Sequence, residues 1–362
     1  MAVEENNLLT DDIIIKEALR LLKNNLVFAA LVFRDFEKQF IKKVGATIRV
    51  ELPTRIKSAS GALLVKQPLV DLSTDLTIAN QEHVGLEYGM VDLTLSITRF
   101  SEKYLKSGME SLANKIDRSI AETLAQTFHT SGTPGTRPTE FIDYANAGAK
   151  QTTYGIPLED RKAIITPFTE ANLSDSVTKL FNTSKTDSAF TKGYSGECSK
   201  YMTYCDQNLP THTVGQQGGT PLTAEVGTNT STIATDGWTV SKFGVLLKGD
   251  IITFADVFGV NPQSYESTGL LQEFVVTDVQ VDSDAGGLAS INFSPEMNDG
   301  NATVTNPGGA SVSTAAYQNV SNLPADGAAI TVSGDANGIY EVNYLFHREA
   351  IALAMVDIEL PR

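Results

Sequence analysis

Residues 98 to 130 constrain the fold more than any other stretch of the chain. The run contains no proline, and its only glycine is Gly108. Apolar residues fall at Leu105, Met109, Leu112, Ile116, Ile120 and Leu124, in steps of three and four. That spacing draws one stripe along an α-helix and does not fit the two-residue alternation of a strand. Ser101 followed by Glu102 predicts a helix start, because a hydroxyl caps orphan amides and an acid suits the positive end of the helix. Ser131-Gly132-Thr133-Pro134 predicts its end. At about 1.5 Å per residue such a helix exceeds roughly 40 Å, several times the usual length. A helix this long needs an extended partner surface.

The flanking segments suggest what that surface is. Thr10-Asp11-Asp12 opens a second helical pattern over 10–43, in which Ile13, Ala18, Leu21, Leu22 and Leu26 share one face and Lys16, Arg20 and Lys23 another. Residues 44–56 alternate, with Ile48, Val50 and Leu52 opposite Thr47, Arg49 and Glu51, which reads as a half-exposed strand. A small polar tip follows from Lys57, and 63–79 return as a second extended stretch. A lone hairpin is marginal in water, so this one must lie on its own domain or on another chain. Residues 83–97, with Val84, Leu86, Val91, Leu93, Leu95 and Ile97, predict a strand leading into the long helix.

After Pro134 the pattern is mixed. Thr139–Tyr144 reads as a turn or short helix, Lys162–Ile165 as a strand, and Thr169–Leu180 as a helix. Residues 182–221 are rich in Gly, Ser, Thr and Tyr and read mostly as loop. Residues 222–338 predict a separate β module, a sandwich or small barrel. Val240, Leu246-Leu247, Ile251–Phe254, Phe274–Val276, Val279–Val281 and Ile291–Phe293 are short β-rich runs between turn signals. From Ile339 the chain returns to the first domain, making the β module an insertion.

Charge supports that boundary. The chain carries a net charge of −15. Before residue 58, ten Lys/Arg face eight Asp/Glu; between 221 and 338 only Lys242 and Lys248 face thirteen acids. So acidic a segment repels phosphate and excludes a nucleic-acid-binding module. No run approaches 18 consecutive apolar residues, so no membrane span is expected. The N-terminus is acidic and lacks a signal-peptide pattern, and Cys198 and Cys205 do not make a disulfide framework. Both point to a protein folded in a cytoplasm.

Motifs for chemistry are weak. Gly193-Tyr194-Ser195-Gly196-Glu197 resembles a nucleophile elbow but has Glu where the second Gly is required. Gly215-Gln216-Gln217-Gly218-Gly219 lacks the Lys and hydroxyl of a phosphate loop. Cys198, Cys205 and His212 lie seven apart, unlike the paired ligands of zinc sites, and buried thiols with a loop histidine are the simpler reading. Asp282-Ser283-Asp284-Ala285-Gly286 is a calcium-loop fragment without its closing Glu and reads as an acidic turn. His83, His129, His212 and His347 sit in no catalytic pattern. No catalytic, cofactor or metal residue is nominated, and no cofactor or enzymatic activity is expected.

Several stretches in order resemble one family. Leu9 to Ala29, Lys42-Lys43-Val44-Gly45-Ala46-Thr47-Ile48-Arg49-Val50, Leu95-Ser96-Ile97, Leu112 to Asp117, Gly249 to Pro262, Leu271 to Thr277 and Asn343 to Ala354 resemble phage coat proteins of the short-tailed Salmonella-phage type, the gene-five coat group. The resemblance implies an α+β, HK97-like capsid fold with an inserted all-β domain. It implies an N-terminal arm at 1–45, an extended E-loop at 46–82 and a peripheral domain with a spine helix at 83–130. An axial domain would occupy 131–221, the β-rich insertion 222–338, and the return to the peripheral and axial core 339–362.

The implied function is a major capsid protein of an icosahedral shell enclosing the double-stranded DNA of a tailed phage. Its implied partners are copies of itself in pentamers and hexamers, a scaffolding protein and a portal, with DNA enclosed rather than specifically bound. It would be assembled in a bacterial cytoplasm. Lys57 and Lys66 fall in the E-loop, but nothing in the sequence predicts isopeptide cross-linking. The chain stops at Leu360-Pro361-Arg362, short of the family pattern, so an edge of the axial domain is expected to be built differently. Two other readings fit parts of the sequence: a cellular nanocompartment shell of the same fold, and a carbohydrate-active or carbohydrate-binding protein built around the acidic β module.

Overall fold

The computed structural model describes residues 11–40, 47–51, 53–58, 61–62, 73–78, 80–87, 97–178, 196–301, 303–305 and 311–355. Much of the expected strand over 83–97, the loop residues around Lys66, and Gly193–Ser195 lie outside these. The architecture mixes helix and sheet, the class expected from the sequence. The chain divides into two compact units. One comprises 1–47, 77–123 and 349–362, and the other 48–76 and 124–348.

The first unit is helical. It contains α1 (Asp11–Asn25), the short α2 (Phe28–Leu31) and α3 (Glu37–Phe40), then α4 (Ile97–Phe100), a π-helical turn at Ser101–Leu105, and α5 (Lys106–Leu124). Ile14, Phe100 and Leu105 form one buried cluster in it, with Leu21 and Tyr104 packed against them. Of the face expected there, Ala18, Leu21 and Leu22 are half-buried and Leu26 is buried, but Ile13 is exposed together with Ile15 and Leu19, and Ile14 takes the inward position. Docking on Phe100 and Leu105 sets that register. Ser101 is no cap. It lies inside the helical run, and its hydroxyl donates to Glu17 (3.1 Å). Gly108 is buried where Val84 and Leu86 approach the helix; a Cβ there would sit 3.3 Å from Val84. Lys115 pairs with Glu82. The segment after Glu349 returns beside Phe33, whose N–H donates to Ile351 (3.0 Å) and whose carbonyl accepts from Leu353 (2.9 Å).

The long helix ends at Leu124, six residues before the expected stop. The Thr127 N–H closes a turn onto Leu124 (3.0 Å), and the chain then runs without regular secondary structure to Thr130. Side chains farther along the sequence hold Thr130, so tertiary contact overrides the helical pattern.

The second unit is built on sheets. β1 (Thr47–Glu51) and β2 (Ser73–Thr77) form the two-stranded hairpin expected from alternation. Arg49 donates to the Ser73 hydroxyl across it (2.7 Å). Next come α6 (Phe141–Thr153), β3 (Arg161–Ile165), α7 (Pro167–Thr178), β4 (Gly196–Cys198), β5 (Tyr201–Cys205) and β6 (Thr211–Thr213). The turn or short helix expected at Thr139–Tyr144 is the start of the 13-residue α6, which runs on to Thr153, and strands occupy a stretch expected to be mostly loop.

The β module then follows with β7 (Gly219–Thr223), β8 (Thr232–Trp238), β9 (Leu246–Leu247), β10 (Ile251–Val260), β11 (Ser267–Val276), β12 (Gln280–Val281), β13 (Ala289–Ser294), β14 (Thr303–Thr305), β15 (Ser311–Ser313) and β16 (Ile330–Val332). Six of these strands form one sheet in the order β16-β10-β11-β13-β8-β7. A bridge between Leu222 and Ala329 joins its two edges, so the sheet closes into a small barrel. Phe254, Phe274 and Phe293 fill it, with ring centroids 5.1 to 5.9 Å apart and tilted or edge-on packing. Val240 belongs to no strand; it lies exposed in the turn after β8.

Last are β17 (Ile339–Glu341) and β18 (Tyr344–His347). β17 pairs antiparallel with β6, and β18 completes a four-stranded sheet of order β18-β3-β5-β4 in which β3 and β5 are parallel. Tyr144, Ala163, Ile165, Leu173, Cys198 and Tyr201 pack as the core between this sheet and helices α6 and α7.

Candidate functional site

Three polar clusters tie these elements together, and each uses residues the sequence gave no reason to group. In the first unit, the Asp117 side chain on α5 is 1% exposed. It accepts the Val27 N–H (2.9 Å) and the Ala29 N–H (3.3 Å). A carboxylate thus satisfies donors at the start of α2 and fixes α2 to the long helix. The apolar stripe was legible in the sequence, but this acid, one step past Ile116, was not.

In the second unit, Glu273 on β11 holds the end of the former helix run. Its carboxylate accepts the Thr130 N–H (2.8 Å), the Thr130 hydroxyl (2.8 Å) and the Lys150 ammonium (2.6 Å). Lys150 on α6 also donates to the Thr130 carbonyl (2.6 Å). His129 stacks on Tyr154 (4.2 Å) and Phe128 (4.4 Å), with Nδ1 3.9 Å from Glu273, beyond hydrogen-bond reach. Burial, and then the Lys150 charge, push the imidazole down to about 4, so the ring is neutral at pH 7.

The third cluster is Arg161, whose guanidinium donates to the carbonyls of Pro157 (2.7 Å), Ile156 (2.7 Å) and Gly148 (3.1 Å) and to the Thr152 hydroxyl (3.1 Å). It closes the end of α6 onto β3.

The motif residues serve structure. His212 Nε2 lies 2.8 Å from Oδ1 of the fully buried Asp250, which also accepts the N–H groups of Gly215 (3.0 Å) and Leu247 (2.8 Å). His212 is thus joined to Asp250 and not to the cysteines. Cys198 is buried in the core of the four-stranded sheet. Asp284 accepts from Gly286 and Leu288 (both 2.8 Å), and Asp282 from Gly244 (2.7 Å), so both carboxylates cap turns. Among the described residues, no three His, Cys, Asp or Glu side chains converge as a metal set. No helix there is long and apolar enough to cross a membrane.

Several large apolar side chains are left outward. Phe243, between β8 and β9, is 73% exposed, and Val279, between β11 and β12, is 82% exposed. Phe141, Ile142 and Phe168 are exposed beside α6 and α7, and Ile13, Ile15 and Leu19 on α1. Large exposed side chains on several elements suit a chain that buries surface against other chains. The extended hairpin rests on the barrel: Arg55, Ile56 and Lys57 meet Tyr265, Tyr317 and Gln318.

A family model described as "P22 coat protein - gene protein 5" matches residues 1–362. The chain belongs to the P22 coat protein family. It is a phage coat protein, and the clusters above are the joints of a capsid subunit. Solved structures that this coat protein matches include one from Mycobacterium phage Che8, at 15% identity and TM-score 0.42, covering 74% of this chain and 86% of that one. The capsid of cyanophage P-SCSP1u matches at 14% identity and TM-score 0.34, over 74% and 83%. The CUS-3 coat protein I-domain matches at 20% identity and TM-score 0.20, covering 32% of this chain and 96% of that one. No curated protein sequence matches.

Proposed function

We propose that this coat protein is the major capsid protein of a tailed phage, assembling as pentamers and hexamers into an icosahedral, HK97-like shell around double-stranded DNA. The observation that carries the reading is the family match over the whole chain. Residues 1–45 act as an arm and 46–82 as the extended loop, with 83–130 forming the peripheral domain around its spine helix. Residues 131–221 form the axial domain, 222–338 the inserted β domain, and 339–362 the return. Apolar side chains exposed on separate elements support many modest contacts repeated around closed symmetry. A scaffolding protein and a portal complete assembly in the bacterial cytoplasm. The role is structural and not enzymatic.

The net charge of −15 suits a container whose wall does not grip the packaged DNA. Negative-stain electron microscopy of the purified protein, expressed with and without a scaffolding partner, tests the reading. Round shells hundreds of ångströms across are expected. A monomer under both conditions would overturn it.

A further inference from the structure

We propose that Tyr265, Tyr317 and Gln318 form a seat on the barrel for the segment Arg55-Ile56-Lys57. In the free subunit the seat holds the extended hairpin on its own chain, and in the shell it surrenders the segment to contacts with a neighbouring copy. The inference rests on the capsid reading for its second half only.

The contacts are specific. The Arg55 N–H donates to the Tyr317 hydroxyl (3.4 Å), and the Tyr265 hydroxyl donates toward the Ile56 carbonyl (3.5 Å) and the Ala316 carbonyl (3.2 Å). The Lys57 ammonium lies 4.9 Å from the centre of the Tyr265 ring and 3.4 Å from the Gln318 amide oxygen. The Arg55 guanidinium lies 5.9 Å from the Tyr317 ring. Two cations on two aromatic faces, with backbone bonds between them, recognise a basic extended segment.

The seat itself is built. Tyr265 has φ of +59°, a left-handed conformation that bulky residues avoid. The turn holds it there: its N–H donates to the Asn261 carbonyl (2.9 Å), and the Asn261 side chain accepts from Gln263 and Ser264. Asn261 in turn donates to the Thr153 carbonyl at the end of α6 (2.6 Å). Backbone held in a disfavoured region collects where a side chain is being aimed. Here it aims the ring under Lys57. Ile56 nonetheless remains 65% exposed, and the bonds from the Arg55 N–H, to the Ile56 carbonyl and from the Lys57 ammonium are 3.4 to 3.5 Å long. A contact of that strength positions a segment and yields to a larger interface.

The test uses the full-length chain. In unassembled protein, trypsin cleavage after Arg55 and Lys57 should run about tenfold faster in the double variant Tyr265→Phe/Tyr317→Phe, which keeps both rings and removes both hydroxyls. Cleavage at the wild-type rate would overturn the seat. Circular dichroism and an unchanged melting transition confirm that this variant is folded. For the second half, a photo-crosslinker at position 56 should react within its own chain in the free subunit and with another chain in shells. Intrachain product alone in shells would overturn the release. If no shells form at all, the capsid reading fails, and the proteolysis still judges the seat.

Discussion

At the scale of single residues, the buried polar groups make the sharpest predictions. Removing the Asp117 carboxylate leaves the Val27 and Ala29 N–H groups without their acceptor, so Asp117→Ala should lower unfolding stability by roughly 2–4 kcal/mol in urea denaturation. Arg161→Lys keeps the charge but cannot serve four acceptors in a fixed fork, and about 2–3 kcal/mol should be lost by the same measurement. His129 gives a pH signature. The unfolded ring takes its proton near its ordinary value of 6.5 and the folded ring only near 4. Between those values the unfolded chain binds the extra proton, so stability falls as pH drops from about 6.5 to about 4 and then levels. The loss is roughly 3 kcal/mol at most. Lys150 and Glu273 face the ring, and their own pairing is retained in His129→Phe, which should flatten this part of the pH–stability curve.

At the scale of elements, legibility followed side-chain size. The helix through 105–124 and strands β10, β11 and β13 announce themselves through large apolar residues at the right period. β5 does not: Tyr201-Met202-Thr203-Tyr204-Cys205 buries alternate residues yet contains no valine or isoleucine. α6 is hidden for a related reason. Its strongest apolar residues, Phe141 and Ile142, point outward, while Tyr144 and Gly148 face the core. The π-helical turn leaves no periodic trace, and neither does the early stop at Leu124, which is imposed by Glu273, 143 positions beyond Thr130. The polar joints were invisible because hydrogen-bond partnership across such separations has no local signal.

At the scale of the whole molecule, family and charge were readable together, and the working surfaces were not, since an assembly contact is completed by another chain. The exposed aromatic and aliphatic side chains of α1, α6 and the barrel are where shells and free subunits should differ most. Hydrogen exchange and side-chain labelling at Phe141, Phe168, Phe243 and Val279 should drop on assembly if these positions become interfaces.

The pairing of β6 with β17 has one more consequence. Thr211 lies opposite Glu341, so the strand by which the chain departs toward the barrel and the strand by which it comes back are hydrogen-bonded neighbours. The polypeptide between them enters and leaves through a doorway two strands wide. A lineage could exchange, enlarge or redecorate that cassette without rerouting the rest of the polypeptide, and an engineer could graft a foreign domain through the same doorway.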